Sequence, residues 1–167
     1  AAFDAGADII VFADGDLVGN ITRNVKELIE GISTEKLDLA LTNCYPIPPK
    51  YNPVTSLMLH FRMELNRVLK IDKTVGSATP SHGPHAVSRR FLQVVPAKEL
   101  GIPPAAMALA VKNRLKVGVA STMPHYKLGS RLKDNAHAIR ISETIIGDCA
   151  EAICVFKGIE RSRVYGN

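Results

Sequence analysis

Cysteine is scarce in this chain, and the three present, Cys44, Cys149 and Cys154, include no C-x-x-C pair. An odd count without metal-type spacing excludes a disulfide framework and a zinc knuckle, and it predicts buried, reduced thiols. Long apolar runs are missing too: none approaches the roughly 20 residues that span a bilayer. The opening "AAFDAGADII" lacks the basic region and cleavage pattern of a signal peptide, so a cytoplasmic protein is expected. There is no internal repeat and no low-complexity linker. That leaves one domain of 167 residues, long enough for a sizeable core, and 46% apolar residues argue against disorder.

Acidic residues thin out along the chain. Residues 1–72 carry 7 Lys/Arg against 10 Asp/Glu, a balance of −3, whereas 73–167 carry 14 against 6, a balance of +8. A basic half attracts the phosphates of a nucleotide, anionic lipid headgroups or nucleic acid. A solvated basic surface is the plain alternative.

The short apolar run "DIIVF" (8–12) has the form of a strand buried on both faces of a parallel sheet. Ile21, Val25, Leu28, Ile29 and Ile32 then recur at helical spacing, with Asn20 placed as N-cap and Gly31 near the stop. "LDLALTN" reads as a second strand, so the order suggests a right-handed βαβ unit. Four prolines in "CYPIPPKYNP" forbid helix and central strand alike. In the next segment, "VTSLMLHFRMELNRVL", Leu57, Phe61, Leu65 and Val68 or Leu69 share a helical face, and Met58 and His60 read as packing residues. "TVGSATPSHGPHAVSRRF" is a loop entering a strand and then a helix at Arg89 or Arg90. "PPAAMALAVKNRLKVGVAS" reads as a helix with proline in its first turn, followed by a strand. A long closing helix from Asp134 to about Lys157 has Asp134 as N-cap and Gly158 as stop.

The feature with chemical content is "DIIVFADGDLVGN", in which Asp14 and Asp16 follow the first strand. In open α/β sheets ligands bind at that end of a strand. A calcium loop counted from Asp14 would need oxygen ligands at its fifth and twelfth positions, where Val18 and Val25 stand. An aspartyl phosphatase also places Asp-x-Asp after a strand and shows a later Gly-Asp pair, as at Gly147–Asp148. Its first motif continues with Gly-Thr, whereas Leu17 and Val18 follow here, and Gly147–Asp148 falls inside the long helix. The third reading is a divalent cation held by both carboxylates to neutralise a diphosphate leaving group.

On these residues the chain resembles a known family. "GADIIVFADGDLVGNITRNVKELIEGI", "DLALTN", "SHGPHAVSRRF" and the strand "NRLKVGVAS" are similar to the C-terminal part of inverting family-2-type glycosyltransferases of the GT-A fold. The resemblance implies an α/β mixed sheet flanked by helices. It also implies a metal-dependent transfer of sugar from a nucleotide-diphosphate sugar to a sugar, phosphorylated or lipid-linked acceptor. Manganese or magnesium is the implied cofactor, peripheral contact with the inner membrane face is allowed, and no nucleic acid is implied as a partner. Carried over by position, Asp14 contacts ribose or shares the metal, and Asp16 is its main ligand. His125 closes the metal site, Lys127 and Arg131 reach the donor phosphates, and Ser81, His82, Gly83 and Pro84 line the acceptor pocket. His125 as a plain loop histidine, Lys127 and Arg131 as solvated charges, and His82 and His85 as structural groups are the competing readings.

Two departures from the family stand out. Relatives place an acid at the start of the helix after the acceptor loop, to deprotonate the attacking hydroxyl. Here "ELGIPPAAMALAV" occupies that stretch, Glu99 lies early, and the base is left unassigned. A phosphate acceptor, already ionised, would need none. Relatives also precede the Asp-x-Asp strand with further βαβ units, so the sequence is expected to be the C-terminal part of a longer catalytic domain with an exposed sheet edge. A non-catalytic module for an anionic surface is the reading from another class, and an aspartyl phosphatase remains the enzymatic rival.

Overall fold

The computed structural model describes residues 2–47, 52–129 and 135–161, with side chains for all of these except 135–137. Four strands form one sheet: β1 (Ile9–Phe12), β2 (Leu39–Asn43), β3 (His85–Ser88) and β4 (Val117–Thr122). Their spatial order is β1-β3-β2-β4, with β3 antiparallel to both neighbours and β2 parallel to β4. Strands β1, β2 and β4 therefore run the same way. The result is an α/β fold with a mixed, open four-stranded sheet flanked by helices, of general Rossmann-like topology.

The expected β1–helix–β2 unit is present as a split one, because β3 inserts between its two strands. "DIIVF" differs from expectation as well. Among the described residues β1 pairs with β3 alone, and all four of its residues are half-buried. Its apolar run still has a physical reason. Ile10 and Phe12 point to the larger core on one face, while Ile9 and Val11 pack against the smaller cluster on the other.

Helix α1 (Thr22–Ser33) covers that second face, burying Leu28 and Ile32 against Ala40 and Ala86. The N-cap is Ile21, without a side-chain cap, and not the expected Asn20, which stands one residue earlier and accepts from the Thr22 amide at 3.0 Å. The opposite face carries α2 (Pro53–Val68), α3 (Asp72–Val75), α4 (Arg89–Val94), a 3-10 turn (Ala97–Gly101), α5 (Pro103–Lys112) and the closing α7 (Asn135–Lys157). A short α6 (His125–Leu128) follows β4. Asn52 caps α2 by accepting from Thr55 N, and Ser88 caps α4 by accepting from Phe91 N. The expected N-cap Asp134 lies outside the described residues.

The buried face of α2 is shifted from the expected one. Leu57 is 52% exposed, and the buried positions are Met58, Leu59, Arg62, Leu65 and Asn66. Helical spacing holds, but the stripe is centred on a line that contains Arg62, a residue hydropathy assigns to the surface. Cys44 and Cys149 are buried free thiols, in line with expectation, and Cys154 is half-buried. No helix among the described residues is long and apolar enough to cross a membrane.

Candidate functional site

Strand direction brings the chemistry to one end of the sheet. The C-terminal ends of β1, β2 and β4 meet the N-terminal end of β3 there. Asp14 and Asp16 follow β1, Cys44 and Tyr45 follow β2, His125 and Lys127 follow β4, and Ser81 to His85 lead into β3.

The loop carrying the two carboxylates is clasped to α6. Gly19 N donates to Leu128 O at 3.0 Å, and a Cβ on Gly19 would stand 2.1 Å from Lys127 O. Glycine is required here by close approach of two backbones. This contact sets the Asp-x-Asp loop beside the helix bearing His125 and Lys127. Arg131 lies outside the described residues.

Asp14 is at the wall of a cavity of about 280 Å³. Phe12, Leu39, Val87, Phe91 and Ala106 give it an apolar floor, and Ser81, Gly83 and His85 add polar edges. Although Asp14 as a residue is exposed, its carboxylate is sheltered there. Burial first, and then the charge of Asp16, push its pKa above the ordinary carboxylate value. Two polar atoms of lining residues, Ser81 Oγ and His85 Nδ1, are buried behind the cavity surface with no well-aligned hydrogen-bond partner. Such orphans are costly unless a ligand or water meets them. His85 stacks on Phe12 with ring centroids 5.1 Å apart, and burial pushes its pKa down to about 4.

The four expected acceptor residues divide between two places. Ser81 and Gly83 line the cavity with Asp14. Gly83 has φ +76°, and a Cβ there would meet Cys44 Sγ at 2.6 Å, so both backbone and space call for glycine. Pro84 turns its carbonyl to Thr42 Oγ1, which donates to it. His82 points the other way, into an aromatic cluster with Tyr45 and His125. Its Nε2 lies 2.9 Å from His125 Nδ1, and the ring centroids of Tyr45 stand 5.3 Å from His82 and 5.5 Å from His125. His125 is thus joined to His82. Among the described residues no three His, Cys, Asp or Glu side chains gather into a metal-holding group.

Arg62, from α2, reaches beneath this cluster. It is 1% exposed, and its Nε and Nη2 have no hydrogen-bond partner. Burial depresses the pKa of His82 to about 3, with the Arg62 charge and His125 adding to the effect. Burial and Arg62 lower His125 as well. Cys44 and Cys149 feel the same charge, yet burial dominates and pushes both thiols up to about 11.

Sequence patterns pointed to neither Arg62 nor Asn24. Asn24 is 1% exposed on the sheet-facing side of α1 and donates from Nδ2 to Thr42 Oγ1 (2.9 Å) and Ser121 Oγ (2.8 Å). Ser121 Oγ in turn donates to Glu27 Oε2 at 2.6 Å. This chain of bonds ties α1 to the ends of β2 and β4 behind the site. The signal that was there to be read is a polar side chain on an otherwise apolar helical stripe, at Asn24 between Ile21 and Leu28 and at Arg62 between Met58 and Leu65.

Glu99 is accounted for otherwise. Arg161 Nη2 donates to Glu99 Oε2 at 2.8 Å, and Arg161 Nη1 lies 3.3 Å from Glu151 Oε1. Both carboxylates are buried, so Glu99 is an ion-pair partner of the last described residue. Asp148 lies within α7, not at a strand end, which is where a phosphatase would need it.

The fold and its convergent end define a mixed-sheet α/β protein with a ligand-sized cavity at the C-terminal ends of its parallel strands, the position where such sheets bind ligands. No protein-family model, curated protein or solved structure matches the chain.

Proposed function

We propose that this chain is the metal- and diphosphate-handling part of a GT-A-type glycosyltransferase, which moves a sugar from a nucleotide diphosphate to an acceptor. The observation that carries the reading is the pair Asp14 and Asp16 at a strand end, with Asp14 opening on a cavity that Ser81, Gly83 and His85 also line.

The donor set suits a divalent cation. Burial first, and then the charge of Asp16, raise the pKa of Asp14, and a shared positive ion would offset both. Magnesium and manganese are commonly held by one or two carboxylates plus substrate phosphates, so two protein ligands suffice and His125 is not needed as a third. When bound, the cation would neutralise charge on the departing diphosphate. Asp14 and Asp16 would orient it. Ser81 and His85 would border the sugar, with the 280 Å³ cavity suited to one ring at a time. Lys127, exposed on the helix clasped to the Asp-x-Asp loop, would meet the phosphates.

Manganese-dependent cleavage of a nucleotide sugar, assayed over a panel of donors, is the test. Asp16→Ala should reduce the rate by at least about a hundredfold, the usual cost of removing a main electrostatic stabiliser of the transition state. Cleavage retained in Asp16→Ala would overturn the metal assignment, and release of phosphate from simple phosphoesters without nucleotide sugar would favour the phosphatase.

A further inference from the structure

The buried guanidinium of Arg62 has no place in the metal site. Arginine stays charged in proteins, and a buried charge without a counter-ion is among the costlier arrangements in a core. Five groups feel its charge: Cys44 and Tyr45 after β2, His82 before β3, His125 at the start of α6 and Cys149 on α7. None is a carboxylate. No ion pair to Arg62 is found among the described residues, and two of its three nitrogens are buried and unpartnered. The cluster is a closed positive pole with unused donors arranged as a planar fork.

Three of these groups, Tyr45, His82 and His125, are rings packed on one another, with centroids 4.8–5.5 Å apart. His125 is exposed, and a single 2.9 Å hydrogen bond joins it to His82. Access to the guanidinium would require the His125 side chain to turn outward, giving up that bond and its stacking on Tyr45.

We infer that Arg62 is the anchor of an oxyanion site, gated by the His82–His125 pair, that receives a phosphate group of the acceptor. A guanidinium fork matches a phosphate through two parallel N–H···O bonds, and unpartnered Nε and Nη2 are the two donors such a bond pair uses. Tyr45 O–H and the freed imidazoles supply further donors at the rim. Assigning the anion to the acceptor rests on the transferase reading; the anion site itself does not. An anionic acceptor also accords with Glu99 being tied to Arg161, which leaves that carboxylate unavailable as a base.

The test is a titration of the full chain with inorganic phosphate at constant ionic strength, in chelator so that no metal contributes. It is read by the ring resonances of His82 and His125 and by the unfolding midpoint. The wild-type chain should bind phosphate and gain in midpoint, and Arg62→Met should lose affinity at least tenfold. Arg62→Lys, which keeps the charge and loses the fork, should lie between the two. Arg62→Met should itself unfold no earlier than wild type without phosphate, because an uncompensated charge has been removed. Asp16→Asn should leave phosphate affinity unchanged, which separates this site from the metal site. Glycerol 3-phosphate and vesicles of phosphatidylcholine containing phosphatidic acid distinguish a soluble from a lipid-borne phosphate, each binding in an Arg62-dependent way if it is the source. No response of the wild-type chain to phosphate, an equal response in Arg62→Met, or tighter binding of acetate than of phosphate would overturn the proposal.

Discussion

Replacing Gly19 by alanine tests the clasp that holds the carboxylate loop in place. The added Cβ would stand 2.1 Å from Lys127 O and 3.0 Å from Leu128 C and O, all backbone atoms. An ordinary carbon–oxygen contact is more than 1 Å longer than the first of these, and neither main chain can rotate away as a side chain would. The Gly19 N to Leu128 O bond must lengthen or break. Overpacking of this kind costs ~1–3 kcal/mol, to which loss of one hydrogen bond adds ~1 kcal/mol. For a chain of this size each kcal/mol moves the midpoint by about 2–4 °C, so thermal unfolding should fall by about 4–16 °C. Gly15, between the two aspartates, is the control: a Cβ there meets no heavy atom within 4 Å. Gly15→Ala should change stability by less than ~0.5 kcal/mol. Paired melting curves of the two variants read the difference directly. Equal midpoints would refute the reasoning, since they would mean that the loop and α6 do not touch at Gly19.

Three further outcomes are expected. His85 is held neutral in the folded protein, with its pKa near 4 against 6.5 when unfolded. The unfolded chain therefore takes up the extra proton between those values. The contribution of His85 is fully present above pH 6.5 and falls by about 3 kcal/mol as pH drops towards 4; His82 adds a fall of the same sign, so urea midpoints should show a shallower slope in His85→Phe than in wild type. Arg161→Ala strips the shared cation from Glu99 and Glu151, whose side chains are 8% and 6% exposed. Urea unfolding should register a loss of ~2–4 kcal/mol, below the full buried-pair figure because Arg161 is itself partly exposed; a loss under ~0.5 kcal/mol would mean that the pairs contribute little. Asp16→Asn should move the pKa of Asp14 downwards, because one cause of its elevation is removed while burial remains; a carboxyl-detected NMR titration showing no movement would separate the two side chains.

Much of the fold follows from local pattern. The alternation in "IIVF" that serves two cores, the proline start of α5 and the end of α7 before Gly158 are all short-range physics, decided within one turn or one strand. Pairing is not. That β3 lies between β1 and β2 depends on contacts some 75 residues apart, such as Ile10 opposite Val87, and nothing in the four residues "HAVS" announces it. The phase of α2 was misread for a related reason. Arg62 occupies a buried position because of what lies across from it, so its burial is a tertiary fact that hydropathy scores the wrong way.

The site divides along the same line. The placement of Asp14 and Asp16 after a strand is legible because it depends on β1 alone, whatever the sheet order, and Asp14, Ser81 and Gly83 line one cavity. His125 is drawn to His82, since α6 is set by β4 and by the Met123 and His125 amides, which donate to Asn43 O and Cys44 O. Sequence spacing carried no information about that approach. The Arg62 pole beneath them was invisible for the reason given for α2.

The most direct measurement of the central claim is the broadening of backbone resonances by a trace of manganese in the presence of pyrophosphate. Broadening centred on residues 12–16, with Lys127 affected next and the whole effect lost in Asp16→Asn, is the result expected of a cation site built on Asp14 and Asp16. Broadening centred elsewhere, or unchanged by Asp16→Asn, would contradict it.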